Sequence, residues 1–351
     1  MSIWPKIEQA ISERILILDG AMGTMLQAHK HSEEDFRGGK FAAWPSPLRG
    51  NNDLLNITKP GVVREVHDSF FAAGADLIET NTFNATSISQ ADYGLSEYAG
   101  EIAEAGAKIA RTVADEWSDK TPDKPRAVLG AVGPLSKTLS LSPKVEDPGF
   151  REVDFDDVVA SYTVQIEAMF DHIDALLIET IFDTLNAKAA IFAARSVFAE
   201  RGTDLPLLIS GTITDKSGRT LSGQTVEAFW HSVAHAKPFA IGLNCALGAE
   251  DMRPYIQALS KIADTHILAY PNAGLPNAFG EYDETPSHMC SQITPWAEDG
   301  WINIVGGCCG STPEHIAKLA GSAAKNTPRP TPEIAPALRL SGLEPFILST
   351  A

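Results

Sequence analysis

A closed (β/α)8 barrel of the TIM type is the fold this sequence predicts, and three observations carry it. Eight short apolar runs recur along the chain, and each is followed by a longer stretch of helical periodicity. Most of these runs are apolar at every position rather than at alternate ones, which suits strands covered on both faces. A length of 351 residues fits one barrel of this kind, and an apolar content of 44% supports a large packed core. Eight strand–helix units argue for a closed barrel rather than an open sheet.

The predicted strands are 15–18, 75–79, 127–131, 175–179, 206–210, 239–244, 266–269 and 302–305. Helical stretches between them include 62–73, 97–117 and 155–170. In the last, Val158, Val159, Tyr162, Ile166, Met169 and Phe170 fall on one helical face, with acidic residues in the first turn. The connection 29–59 is rich in Gly, Pro and Asn, and is expected to cover one barrel mouth as a loop. His29 and His31, flanking a lysine in it, are read as solvent-exposed. The barrel is expected to occupy 1–326 and a proline-rich, non-helical tail 327–351.

Composition narrows the function classes. A formal net charge of −17 disfavours nucleic acid or an anionic membrane as partner. No run of about eighteen apolar residues is present to span a bilayer. The N-terminus has neither a basic region nor an apolar stretch of signal type, so a cytoplasmic location is expected. Four cysteines are too few for a disulfide scaffold, and clustered thiols in a reducing compartment point to metal binding or redox work.

Active sites of such barrels lie at the C-terminal ends of the strands. The eighth strand ends in Gly306-Gly-Cys-Cys-Gly310. Vicinal side chains on a regular strand point to opposite faces, so aiming Cys308 and Cys309 at one point requires a distorted backbone. The glycines at 306, 307 and 310 tolerate positive φ and close approach. The sixth strand ends in Gly242-Leu-Asn-Cys245, at the same mouth. Three thiolates there would form a zinc site with one position open, as in catalytic zinc centres. Such a centre carries net charge −1 and makes a poor Lewis acid. It suits the activation of a substrate thiol, and hence alkyl transfer to sulfur. A vicinal Cys308–Cys309 disulfide, a closed structural zinc site and buried packing cysteines remain alternative readings, and Cys290, in a predicted helix, is read as structural. Asp19 after the first strand could cap a helix. Glu79 and Glu179, after the second and fourth, could be salt-bridged scaffold groups. No dinucleotide fingerprint, P-loop or serine nucleophile elbow is present.

Four of these strand ends are similar to motifs of the homocysteine S-methyltransferase family: Leu18-Asp-Gly-Ala-Met-Gly-Thr24, Glu79-Thr-Asn-Thr-Phe83, Gly242-Leu-Asn-Cys245 and Gly306-Gly-Cys-Cys-Gly310. Phe36-Arg-Gly38, Gly50-Asn-Asn-Asp-Leu-Leu55, Ile213-Thr-Asp215, Leu221-Ser-Gly-Gln224 and the stretch 271–282 resemble the homocysteine-binding module of its cobalamin-dependent methionine synthase branch. Arg339-Leu-Ser-Gly-Leu-Glu-Pro345 resembles the segment that leads on from that module. The resemblance implies a zinc barrel that methylates homocysteine to methionine, with Cys245, Cys308 and Cys309 as zinc ligands and Asn272 as a labile fourth. It implies that Asp19 and Glu179 meet the amino group and backbone of homocysteine, and that Thr80 and Phe83 line its pocket. The chain carries no Asp-x-His-x-x-Gly cobalamin motif. The methyl group is therefore expected from methylcobalamin on a separate corrinoid protein, from a small onium such as betaine, or from elsewhere in a longer chain.

Overall fold

In a computed structural model, residues 3–348 are described except Asp215 and Phe279, each of which lies in a stretch quoted above. Eight parallel strands form one sheet: β1 (Leu16–Ile17), β2 (Leu77–Glu79), β3 (Ala127–Val132), β4 (Ala175–Ile181), β5 (Leu207–Gly211), β6 (Ala240–Gly248), β7 (His266–Asn272) and β8 (Ile304–Val305). Neighbours in sequence are neighbours in the sheet from β2 to β8, and β1 pairs with β8. A parallel bridge between Leu18 and Leu77 joins β1 to β2 and closes the (β/α)8 barrel. Asp19 N–H donates to Leu77 O at 3.0 Å, and Asp76 N–H to Ile17 O at 2.7 Å.

The side-chain period of two divides each strand between two cores. Leu16, Leu77, Leu129, Leu177, Leu208, Leu268 and Ile304 point inward and fill the barrel. Ile17, Ile78, Val128, Ile178, Ile209, Ile241, Ile267 and Val305 point outward to the helices. This double burial is why the strand runs read as continuously apolar. The first helix, Trp4–Glu13, packs Trp4, Ile7 and Ile11 against the inner core, with Trp4 edge-on to Phe239. In the helix Phe155–Met169, Val158, Tyr162, Ile166 and Met169 are buried. Asp154 and Asp157 form its capping box.

The structure differs from the sequence reading in several places. β4, β6 and β7 run two to four residues further toward the mouth than their apolar runs, because pairing resumes beyond a register shift, at Ile181 with Gly211 and at Gly248 with Asn272. The connection 29–59 is not a loop throughout. It carries the helix Glu33–Arg37, capped by the Ser32–Asp35 box, and the short helix Leu55–Thr58. His31 is not solvent-exposed. Its side chain is 10% accessible, stacked on His29 and edge-on to Phe36. The segment after the last barrel helix is anchored by buried Arg329, whose guanidinium donates to the carbonyls of Ser260, Ala263 and Thr265. It ends in an antiparallel hairpin of β9 (Leu338–Ser341) and β10 (Pro345–Leu348), which pairs after the prolines have passed. Ser341 Oγ ties β9 to Ala228 O at 2.6 Å. No helix among the described residues is long and apolar enough to cross a membrane.

Candidate active site

The inward parity of the strands decides which polar residues meet at the mouth. Above the inner apolar layers it brings Glu79 on β2, Glu179 on β4, Ser210 on β5, Asn244 on β6 and Tyr270 on β7 into one ring. Cys245, one residue beyond Asn244, would face the helices on a regular strand. Cys245 and Ala246 instead adopt φ of 60° and 56°, and the register with β7 shifts between Asn244 and Gly248. Left-handed conformations at non-glycine residues cost about 1–3 kcal/mol each and cluster at functional sites. Here the distortion puts Cys245 Sγ 3.8 Å from Cys309 Sγ.

The sulfurs of Cys245, Cys308 and Cys309 all lie within 4.8 Å of one another. Cys308 N–H donates to Pro271 O and Ala273 N–H to Cys309 O, so β7 holds the pair in place. Of the three flanking glycines only Gly310 uses positive φ, at 82°, and a Cβ there would lie 2.3 Å from the Tyr282 ring. Gly306 and Gly307 serve close approach instead, against Asp19 O and Ser311. Hydrogen bonds that its thiol donates to Cys245 and Cys309, with burial, push Cys308 well above the ordinary range. Those that Cys309 receives from Cys245 and Cys308 pull it down to about 3. No other set of three His, Cys, Asp or Glu among the described residues can converge on a metal ion. Cys290 lies apart in the helix Pro286–Glu298, buried, with Thr294 and Lys318 O beside its sulfur.

Next to the thiols lies a cavity of 220 Å³, lined among others by Glu79, Thr80, Phe83, Glu179, Tyr270 and the three cysteines. Glu179 and Asp19 are buried and Glu79 is half-buried, and among the described residues no lysine or arginine pairs with any of them. Glu79 Oε1 and Asp19 Oδ1 have no hydrogen-bond partner at all. Burial, with the Glu179 charge nearby, pushes the Asp19 and Glu79 carboxyls well above their usual range. Burial pushes Glu179 up to about 8, against a hydrogen bond from Tyr270 Oη at 3.4 Å. Three carboxylates without a cation form a receptor for one.

The sequence-derived residues are distributed as follows. Asp19 does not cap a helix; its Oδ2 accepts from Glu79 N–H at 3.1 Å, beneath the cavity. Thr80 and Phe83 line the cavity, but the Thr80 hydroxyl is already engaged by Ala131 N–H and Thr82 Oγ1. Glu79 and Glu179 are not salt-bridged. Asn272 closes β7, buried, with its Oδ1 unpartnered. Glu79, Tyr270, Asn244 and Asp53 were not singled out as site residues from the sequence. Counting inward parity past each apolar run would have found the first three. Asp53, raised to about 7 by burial, enters from the connection 29–59 and carries no such signal.

A barrel whose mouth sets a metal-competent thiol triad beside carboxylates that no lysine or arginine pairs has the make-up of a thiol-handling enzyme. The sequence narrows this further. The chain matches the homocysteine S-methyltransferase family model over residues 16–323, and it belongs to that family. It is similar to the crystal structure of the homocysteine methyltransferase MmuM from Escherichia coli in its metallated form. Identity is 23% and the TM-score 0.68, covering 90% of this chain and 98% of that one. The apo form of the same enzyme matches at 21% identity and a TM-score of 0.62, covering 88% of this chain and 96% of that one. At these identities the structural likeness speaks to the fold.

Proposed function

We propose that this methyltransferase is a zinc-dependent homocysteine S-methyltransferase that forms methionine. One observation carries the reading: three convergent thiols share one small cavity with the carboxylates of Glu79 and Glu179, and Asp19 lies beneath it. Cys245, Cys308 and Cys309 would hold the zinc, with the unpartnered Asn272 Oδ1 as an exchangeable fourth donor. Bound zinc would supply a partner for the substrate sulfur that keeps it a thiolate at neutral pH.

The chain's own residues do the remainder. Glu179 and Glu79 face the cavity, and Asp19 beneath it adds negative potential; together they hold the homocysteine ammonium. That grip orients the amino acid with its sulfur toward the cysteines, converting an encounter into a positioned reaction. Methyl transfer forms the sulfur–carbon bond as the bond from methyl to donor breaks. The electron pair leaves with the donor, and the thiol proton is released to solvent. A cavity of 220 Å³ is below the range of about 300–1,000 Å³ typical of drug-sized ligands, so it suits one amino acid. The donor then reaches the sulfur from the open mouth. We assign this role to a methylcorrinoid carried by a partner, on the resemblance of the connection 29–56.

Methionine formation should be assayed in parallel with methylcobalamin, betaine, S-methylmethionine and S-adenosylmethionine. Transfer from a small onium alone overturns the corrinoid assignment but keeps the homocysteine reading. No transfer from any donor, with a zinc X-ray edge that gains no sulfur neighbour on adding homocysteine, overturns the enzyme and leaves a structural zinc barrel.

A further inference from the structure

Asn244 lies in the inner ring between the two halves of the cavity, wholly buried, and its carboxamide touches both. Its Oδ1 lies 3.1 Å from Thr180 N and 2.7 Å from Ser210 Oγ. Its Nδ2 lies 2.8 Å from Thr180 Oγ1 and 3.9 Å from Cys308 Sγ. The orientation of the amide is not free. A backbone N–H can only donate, so the atom facing Thr180 N must be the oxygen, and the NH2 must face Cys308.

Thr180 is itself unusual. It sits at φ 55°, beside a register shift between Ile178 and Ile181, and directly follows Glu179. An inward-facing Asn244 that accepts from its N–H and donates to its hydroxyl holds that strained turn closed. The same carboxamide then reaches a thiol of the metal-competent triad. Thr212 Oγ1 donates to Asn244 O at 3.0 Å and fixes the backbone from the other side.

We propose that Asn244 is a positioning residue that sets the separation between the ammonium-binding carboxylate Glu179 and the cysteines that would hold the zinc, and so the chain length of the amino-acid thiol accepted. This rests on the function proposed above. One amide is hydrogen-bonded to Thr180, the residue after Glu179, and reaches Cys308 Sγ at 3.9 Å, so it couples the two ends of the cavity. On this reading a substrate one methylene shorter than homocysteine, such as cysteine, should engage its ammonium and its sulfur together less well.

The test uses the full chain loaded with cobalt(II), whose thiolate charge-transfer absorption reports the triad without turnover. Asn244→Ala removes both hydrogen-bonded ends. Asn244→Asp keeps the shape and the oxygen facing Thr180 N–H but takes the NH2 donor from Cys308, so it serves if the alanine variant does not fold. Loss of a second-sphere partner of this kind costs about 10–100-fold in metal affinity or activity. We expect a folded variant with a shifted charge-transfer band. Its homocysteine KM should rise about tenfold or more, and its preference for homocysteine over cysteine in kcat/KM should fall by a similar factor. A folded variant with an unmoved band and unchanged preference overturns the inference. Absence of the band in the wild type would instead overturn the metal reading on which it rests.

Discussion

Binding of the product L-methionine should strengthen with pH through neutrality, because an ammonium can enter the carboxylate group only after a proton leaves. Methionine has no thiol, so its binding isolates this half of the site. Burial holds Glu179 near 8 in the free protein, and the incoming cation favours its charged form, so low pH opposes binding. For one group at about 8, apparent affinity scales as 1/(1 + 10^(8 − pH)). That is a gain of about 50-fold from pH 6 to pH 8, or about 2.3 kcal/mol at about 1.36 kcal/mol per unit. Asp19 and Glu79 are raised as well, so any proton they release only steepens the slope. The gain should level off above pH 8. Titration calorimetry from pH 6 to 8.5, in two buffers of different ionisation enthalpy, measures both the affinity and the proton released. Glu179→Gln should flatten the profile and weaken binding at pH 8 by at least tenfold. An affinity constant across pH 6–8, or a Glu179→Gln variant that keeps the slope, refutes the reasoning.

The same geometry makes three further predictions. Cys308→Ala should lower zinc content from near one per chain to background and abolish methyl transfer; full activity in a metal-free sample would contradict the site. Gly310→Ala should destabilise the fold by about 2 kcal/mol, since φ of 82° disfavours a Cβ and that Cβ would strike Tyr282. Its urea midpoint should fall, and the displaced Tyr282 should weaken zinc binding. His67, wholly buried with neither nitrogen paired, is driven down to about 3 by burial. Its unfolded form takes a proton near 6.5 while the folded form does not, so stability should drop by about 2 kcal/mol between pH 7 and pH 5. Urea unfolding at both pH values tests this, and His67→Leu should remove that component.

Much of this molecule is legible in the chain itself. The eight apolar runs reveal the barrel because strands buried on both faces cannot carry a polar period, and Leu177 and Ile178 show the two cores side by side. The thiols are legible for a similar reason: cysteines next to glycines at strand ends have few other uses. Neither signal depends on knowing where distant residues lie.

Tertiary structure decided the remainder. Only the closed barrel shows that Glu79 and Glu179 lack a cation, since a salt bridge and a receptor site look alike in sequence. Only the bulge after Asn244 explains how Cys245, on the wrong parity for the mouth, turns to meet Cys309. The two short helices within 29–59 and the hairpin beyond the prolines were hidden because short elements take their stability from packing on the barrel rather than from their own propensity. The chain thus determines by itself which chemistry is available, through residue type and period. Which groups stand unpaired, and how far apart, is set by register and backbone strain, which arise only when eight strands close on one another.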